Sequence, residues 1–194
     1  MMSVSALAHP VIWKGGQAIM FQSDSVSTDL MYHYSLNYNW SVGLHYLEQK
    51  DLNRDYLIAQ SNVLLKRWNG RRSQGNLYIL TGLGASTQNS SQQIGHIGFQ
   101  ADWETQEVYT FFRTGYYHSQ APVWSTKARL GFAPYIGAFD DMHTWLISEF
   151  NDQVINGRHD ISIIPVVRVF KDTVLFEVGS NFSDHLLISS MFHF

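Results

Sequence analysis

The strongest constraint in this chain is alternation. Apolar side chains fall on every second residue in one short run after another, with turn residues between the runs, which is the signature of half-buried β-strands. Leu30, Tyr32, Tyr34 and Leu36 share one face while Met31, His33 and Ser35 take the other. Val42, Leu44 and Tyr46 then stand opposite Ser41, Gly43 and His45. The pattern returns over 57–65, 77–85, 97–103, 108–116, 124–132, 144–150, 161–169, 174–178 and 186–194. With a weaker strand over 16–22 the count is about twelve. No amphipathic helix, long linker or internal repeat interrupts the series, so the chain reads as one all-β domain.

A soluble β-sandwich also carries an apolar face, packed against its core. Three features favour a membrane barrel instead. The polar faces are thin: Lys66, Asp102, Arg113, Lys127, Arg129, Glu149, Arg168, Glu177 and five histidines stand among Gly, Tyr and Gln. Charged residues make up only 15% of the 194, against roughly 25% in an average soluble domain. The arithmetic also fits. Twelve strands share the chain at about 15 residues each, turn included, and a bilayer-spanning strand needs about 9–11. Finally, tight turns at 37–39, 105–106 and 171–172 alternate with longer connections at 23–28, 50–54, 87–93 and 151–160. Short turns on one side and longer loops on the other are an outer-membrane pattern, broken here by a long turn at 71–75 and a short loop at 181–184.

Composition removes other classes. A formal charge of −3 leaves no basic surplus for nucleic acid. The absence of cysteine removes disulfides, thiolate metal sites and thiol nucleophiles. No stretch approaches the roughly 18 unbroken apolar residues of a spanning helix. The opening MMSVSALA ends in Ala6-Leu7-Ala8, an A-x-A ending of the kind signal peptidase cleaves, but it has no basic n-region. It reads either as the remnant of a signal peptide over 1–8, with the barrel domain over 9–194, or as chance.

The chain closes on Leu186-Leu187-Ile188-Ser189-Ser190-Met191-Phe192-His193-Phe194. Phe192 and Phe194, with Ile188 and Leu186 on the same face, resemble the C-terminal assembly signal of bacterial outer-membrane β-barrel proteins. The small residue that often stands farther upstream in such signals is not clearly present. The resemblance implies a transmembrane antiparallel up-and-down β-barrel of about twelve strands in a Gram-negative outer membrane, with both termini periplasmic. It also implies outer-membrane lipid and lipopolysaccharide as surroundings and the barrel-assembly machinery as a partner. It names no function, solute or oligomeric state.

Parity assigns the lumen. Tyr56, Tyr78, Tyr109, Phe111, Tyr117, Trp145 and Phe170 should fill it, with Arg113, Lys127, Arg129, Glu149, Arg168 and Glu177 as its charges. A two-residue turn at 171–172 sets Arg168 opposite Leu175 and diagonal to Glu177. A turn near Ala121 sets Arg113 opposite Arg129, in a basic cluster that either borders Glu149 or favours anions. This makes the expected role a narrow or largely filled pore, or a passive accessory, for small polar solutes or ions. Two alternatives compete. If a turn centres on Asn39, His33 and His45 become cross-strand neighbours near Met31, a soft ligand set for copper or zinc; His185, Met191 and His193 and the run Asp140–His143 are further such groups. His118 and Ser119 at a strand end offer a base and a hydroxyl for lipid hydrolysis or acyl transfer, but no acid orients His118 and adjacent residues on a strand point apart. The balance is against an enzyme, and no cofactor is required.

Overall fold

The computed structural model describes residues 9–136, 141–183 and 185–194. Residues 1–8, on which the signal-peptide reading falls, lie outside them, as do Asp140 and Asp184. The strands are β1 (Gln17–Ser23), β2 (Ser27–Ser35), β3 (Trp40–Gln49), β4 (Arg54–Asn69), β5 (Ser73–Ser86), β6 (Gln93–Thr105), β7 (Val108–His118), β8 (Val123–Phe132), β9 (His143–Ile155), β10 (Arg158–Lys171), β11 (Val174–Ser180) and β12 (Leu186–His193). Each pairs antiparallel with its sequence neighbours, and β1 pairs with β12, so the sheet is a closed barrel. Twelve strands spaced ~4.8 Å and tilted ~40° enclose a backbone cylinder roughly 24 Å across. The fold is the twelve-stranded antiparallel barrel that the alternation implies.

The faces divide as the alternation requires. Leu44, Leu83, Ile97, Leu130, Ile161 and Ile163 are exposed outward, while Tyr56, Tyr78, Tyr109, Trp145 and Phe170 are buried inward. Outward-facing Trp40, Trp68, Trp103 and Phe132 gather at the end of the barrel that carries the termini, and Trp124 lies at the opposite end. Aromatic girdles flanking an apolar band are a hallmark of barrels in lipid.

Four local features depart from the sequence reading. Between Leu64 and Lys66 the β4–β5 register shifts at a bulge, which reverses the parity of the rest of β4. Lys66 therefore turns outward, its ammonium 5.7 Å from the Trp68 ring centroid, and Arg67 turns inward. The β9–β10 connection is no long loop. Pairing continues to Ile155 and Arg158, joined by Asn156-Gly157 with φ of 52° and 77°, the left-handed pair that a two-residue I′ hairpin needs. The longest connection, 133–142, lies at the terminal end, so the expected contrast of loop lengths does not hold. The β10–β11 and β7–β8 turns each sit one residue from their expected centres, which pairs Arg168 with Glu177 and Arg113 with Lys127.

The residues before β1 enter the lumen. Val11 is fully buried against Leu64, Tyr78 and Leu80. The Ile12 amide donates to Ser35 Oγ at 3.0 Å, and the Ser41 hydroxyl donates to the Pro10 carbonyl.

If the outward face meets hydrocarbon, Phe99→Arg near the middle of β6 should cost about 2–4 kcal/mol, measured by urea unfolding from lipid vesicles. A change within experimental error would mean that this face meets water.

Candidate functional site

The barrel interior is partly filled and partly open. Arg129 on β8 donates through Nε to Glu149 on β9 and through Nη1 to Glu177 Oε1 on β11 at 3.0 Å. Arg168 Nε donates to the same Glu177 oxygen at 2.6 Å. Lys127 Nζ stands 3.4 Å from Glu149 Oε1, and Asn151 donates to that oxygen at 2.8 Å. Register explains the cluster, since Arg129 lies directly across from Glu149 and Arg168 from Glu177. Arg168, Glu149 and Glu177 are essentially inaccessible. The Arg168 guanidinium also lies 4.4 Å from the Tyr109 ring centroid. Tyr109, Trp145, Ile147, Ile164, Val166 and Leu187 pack together as the adjoining apolar fill.

The open part is a cavity with its mouth at the end opposite the termini, where 24–27 and 51–52 contribute to its rim. A smaller cavity lies beneath it against His9 and Pro10. Both are lined by Met20, Met31, Met191 and Arg113, which therefore form the throat between them. The three methionines occupy one rung, Met191 opposite Met20 and Met20 opposite Met31. Arg113 on β7 faces that rung from across the barrel. Its guanidinium makes no hydrogen bond or ion pair with any described residue.

The histidines take places that sequence spacing did not show. His33 lies across from Gly43 and His45 across from Met31, because the β2–β3 turn centres on residue 38 rather than 39. Gln60 on β4 bridges the two rings: His33 Nε2–H donates to Gln60 Oε1 at 2.9 Å, and Gln60 Nε2 donates to His45 Nδ1 at 3.0 Å. That leaves His45 Nε2–H to donate to Asp29 Oδ1 at 2.7 Å. Both imidazoles are thus engaged by protein partners, and among the described residues no group of three His, Asp or Glu side chains is placed to hold a metal ion. His118 ends β7 with its ring beside Tyr116, while the Ser119 hydroxyl donates to the Ala121 carbonyl. Phe192 and Phe194 both face outward, and the Phe194 backbone pairs with Gln17.

A second polar network, which the sequence reading missed, clamps the N-terminal segment. Arg67 donates to Asn76 Oδ1 at 2.6 Å, Asn76 donates to Asp102 at 2.6 Å, and Tyr78 and His9 share a 3.0 Å hydrogen bond. Only the β4 bulge brings Arg67 to this face. Burial, and then the Arg67 and His193 charges, hold the His9 imidazole down at a pKa of about 3, far below its ordinary 6.5.

No protein-family model and no curated protein matches the chain in sequence. Solved structures do match its fold. A KdgM porin superimposes with a TM-score of 0.58 at 9% identity, covering 92% of this chain and 99% of the other. The fold is shared with bacterial outer-membrane porins. A KdgM porin in complex with disordered oligogalacturonate gives a TM-score of 0.55 at 8% identity, covering 92% and 98%.

Each polar network has its own test. Glu177→Gln leaves Arg129 and Arg168 underpaired in a buried site and should cost about 3–5 kcal/mol, measured by equilibrium unfolding. The His9 shift makes docking of the N-terminal segment pH-dependent. The docked ring stays neutral while the released ring titrates near 6.5, so docking is strongest above that pH and weakens as pH falls from about 6.5 toward 3. Amide exchange at Ile12, corrected for its intrinsic rate, should accelerate over that range, and His9→Gln should abolish the acceleration.

Proposed function

We propose that this protein is a narrow outer-membrane pore for small polar solutes or ions. The observation that carries this reading is the closed barrel with an apolar, aromatic-edged exterior around a polar cavity that opens at one end. Such a sheet leaves no unpaired edge in hydrocarbon, and its polar groups face a water-filled lumen. The shared porin fold supports the same reading. The Phe192-His193-Phe194 ending supports recognition by the barrel-assembly machinery, with both termini periplasmic and the large cavity facing outward among lipid and lipopolysaccharide.

The filling of the lumen bears on how the pore works. Wide porins leave an aqueous channel, whereas here the Arg129–Glu149–Glu177–Arg168 cluster, the methionine throat and the 9–12 segment restrict passage to small species. Solutes enter the upper cavity, pass Arg113, and leave when the N-terminal segment yields.

Purified protein in a planar bilayer is expected to give a small, steady conductance. Val11→Asp should raise it several-fold, because a carboxylate cannot remain in the apolar contact with Leu64, Tyr78 and Leu80. Silence from both proteins, with the barrel folded by gel mobility before and after boiling, would overturn the pore reading and favour a passive accessory.

A further inference from the structure

The large cavity is charged in opposite senses on opposite walls. Because the barrel closes in sequence order, strands six apart in the series stand diametrically across: β1 faces β7, and β2 faces β8. Arg113 on β7 and Lys127 on β8 line one wall. Asp29 on β2 and Asp24 in the β1–β2 turn line the other.

The two walls do not neutralise each other. Arg113 forms no ion pair with a described residue, yet it is close enough to act electrostatically on Asp29 across the gap. In the cluster beside it, Lys127, Arg129 and Arg168 face only Glu149 and Glu177, leaving one positive charge in surplus. Asp29 accepts from His45 Nε2 at 2.7 Å and from the Ser27 hydroxyl at 2.9 Å, and its carboxylate still lines the cavity. Asp24 accepts the Val26 and Ser27 amides. Glu177 is consumed by two arginines, and Asp160 stands near the mouth, on β10 beyond its paired Gln153.

A further group awaits a partner. His96 on β6 is 5% exposed, stacks on Tyr117 with centroids 4.3 Å apart, and lines the cavity. Neither of its ring nitrogens is hydrogen-bonded to a described residue. Gly98 and Gly115 make room for it, since a Cβ at either would come within 3.0 Å of its Nε2. A buried imidazole left without partners costs stability unless something else bonds it.

We propose that this cavity binds small zwitterions, solutes that carry both a carboxylate and an ammonium group. The carboxylate faces Arg113 and Lys127, the ammonium faces Asp29 and Asp24, and His96 supplies a neutral donor and acceptor between them. A simple anion would meet the Asp29 carboxylate, and a simple cation would meet Arg113. A dipolar solute satisfies both walls at once, which is how charge patterning turns into selectivity. This inference rests on the pore reading and deepens it by naming the solute class.

The test is equilibrium binding to the detergent-folded protein, by calorimetric titration or saturation-transfer NMR, of four probes close in size. These are glycylglycine as zwitterion, N-acetylglycinate as anion, glycylglycinamide as cation and N-acetylglycinamide as neutral control. Glycylglycine is expected to bind about tenfold or more tightly than the others. Arg113→Gln and Asp29→Asn should each remove that preference, the first favouring the cation and the second the anion. Equal binding of N-acetylglycinate and glycylglycine to the unaltered protein, or no binding of any probe, would overturn the proposal. The readout does not depend on conduction, so a barrel that prefers glycylglycine but carries no current would refute the pore and leave the site standing.

Discussion

Pairing of β1 with β12 is the contact on which everything else rests. In hydrocarbon an unpaired backbone N–H or C=O costs several kcal/mol with no water to relieve it, so an open twelve-stranded sheet could not persist there. The ladder from Ala18↔His193 to Ser23↔Ile188 closes the ring, and the terminal carbonyl and amide of Phe194 extend it to Gln17. Closure also fixes which residues share the interior. Once every second side chain must meet lipid, the remaining half has nowhere to go but a lumen roughly 24 Å across at the backbone.

That confinement accounts for the interior chemistry. Charged groups drawn from a face shielded from lipid either neutralise each other or meet solvent in a cavity. Arg129, Arg168, Lys127, Glu149 and Glu177 take the first course, in a cluster that spans four consecutive strands. Arg113 and Asp29 take the second. The N-terminal segment closes what the side chains leave open at the terminal end, held by Val11 among apolar residues and by His9 against Tyr78. The result is a barrel with a deep, charged, one-ended cavity above a narrow throat.

The fold was legible because period-two alternation is redundant: twelve runs each repeat it, and an error in one does not disturb the others. Inward placement of Tyr56, Tyr109, Arg129 and Glu177 followed from the same parity. Cross-strand partners were less legible, because they depend on where each turn centres, and a shift of one residue there moves every pair by two. His33 and His45 were separated that way, while Arg168 and Glu177 were brought face to face. The bulge at Leu64–Lys66 had no local signature and exchanged Lys66 for Arg67 on the inner face. Asn156-Gly157 was a readable hairpin signal, masked by the polar residues around it. Nothing in the spacing could have shown that 9–12 folds inward or that His96 lies unpartnered, since both depend on contacts between distant strands.

The absence of native cysteine makes one measurement especially direct: single cysteines placed along β6 and treated with a membrane-impermeant thiol reagent in folded proteoliposomes. A lipid-facing exterior around a one-ended lumen predicts labelling only at inward-facing positions near the mouth. Positions 97, 99, 101 and 103 should resist labelling in lipid, position 96 should label from the cavity mouth, and positions 100 and 102 should be protected beneath the throat. Equal labelling at odd and even positions would contradict that arrangement.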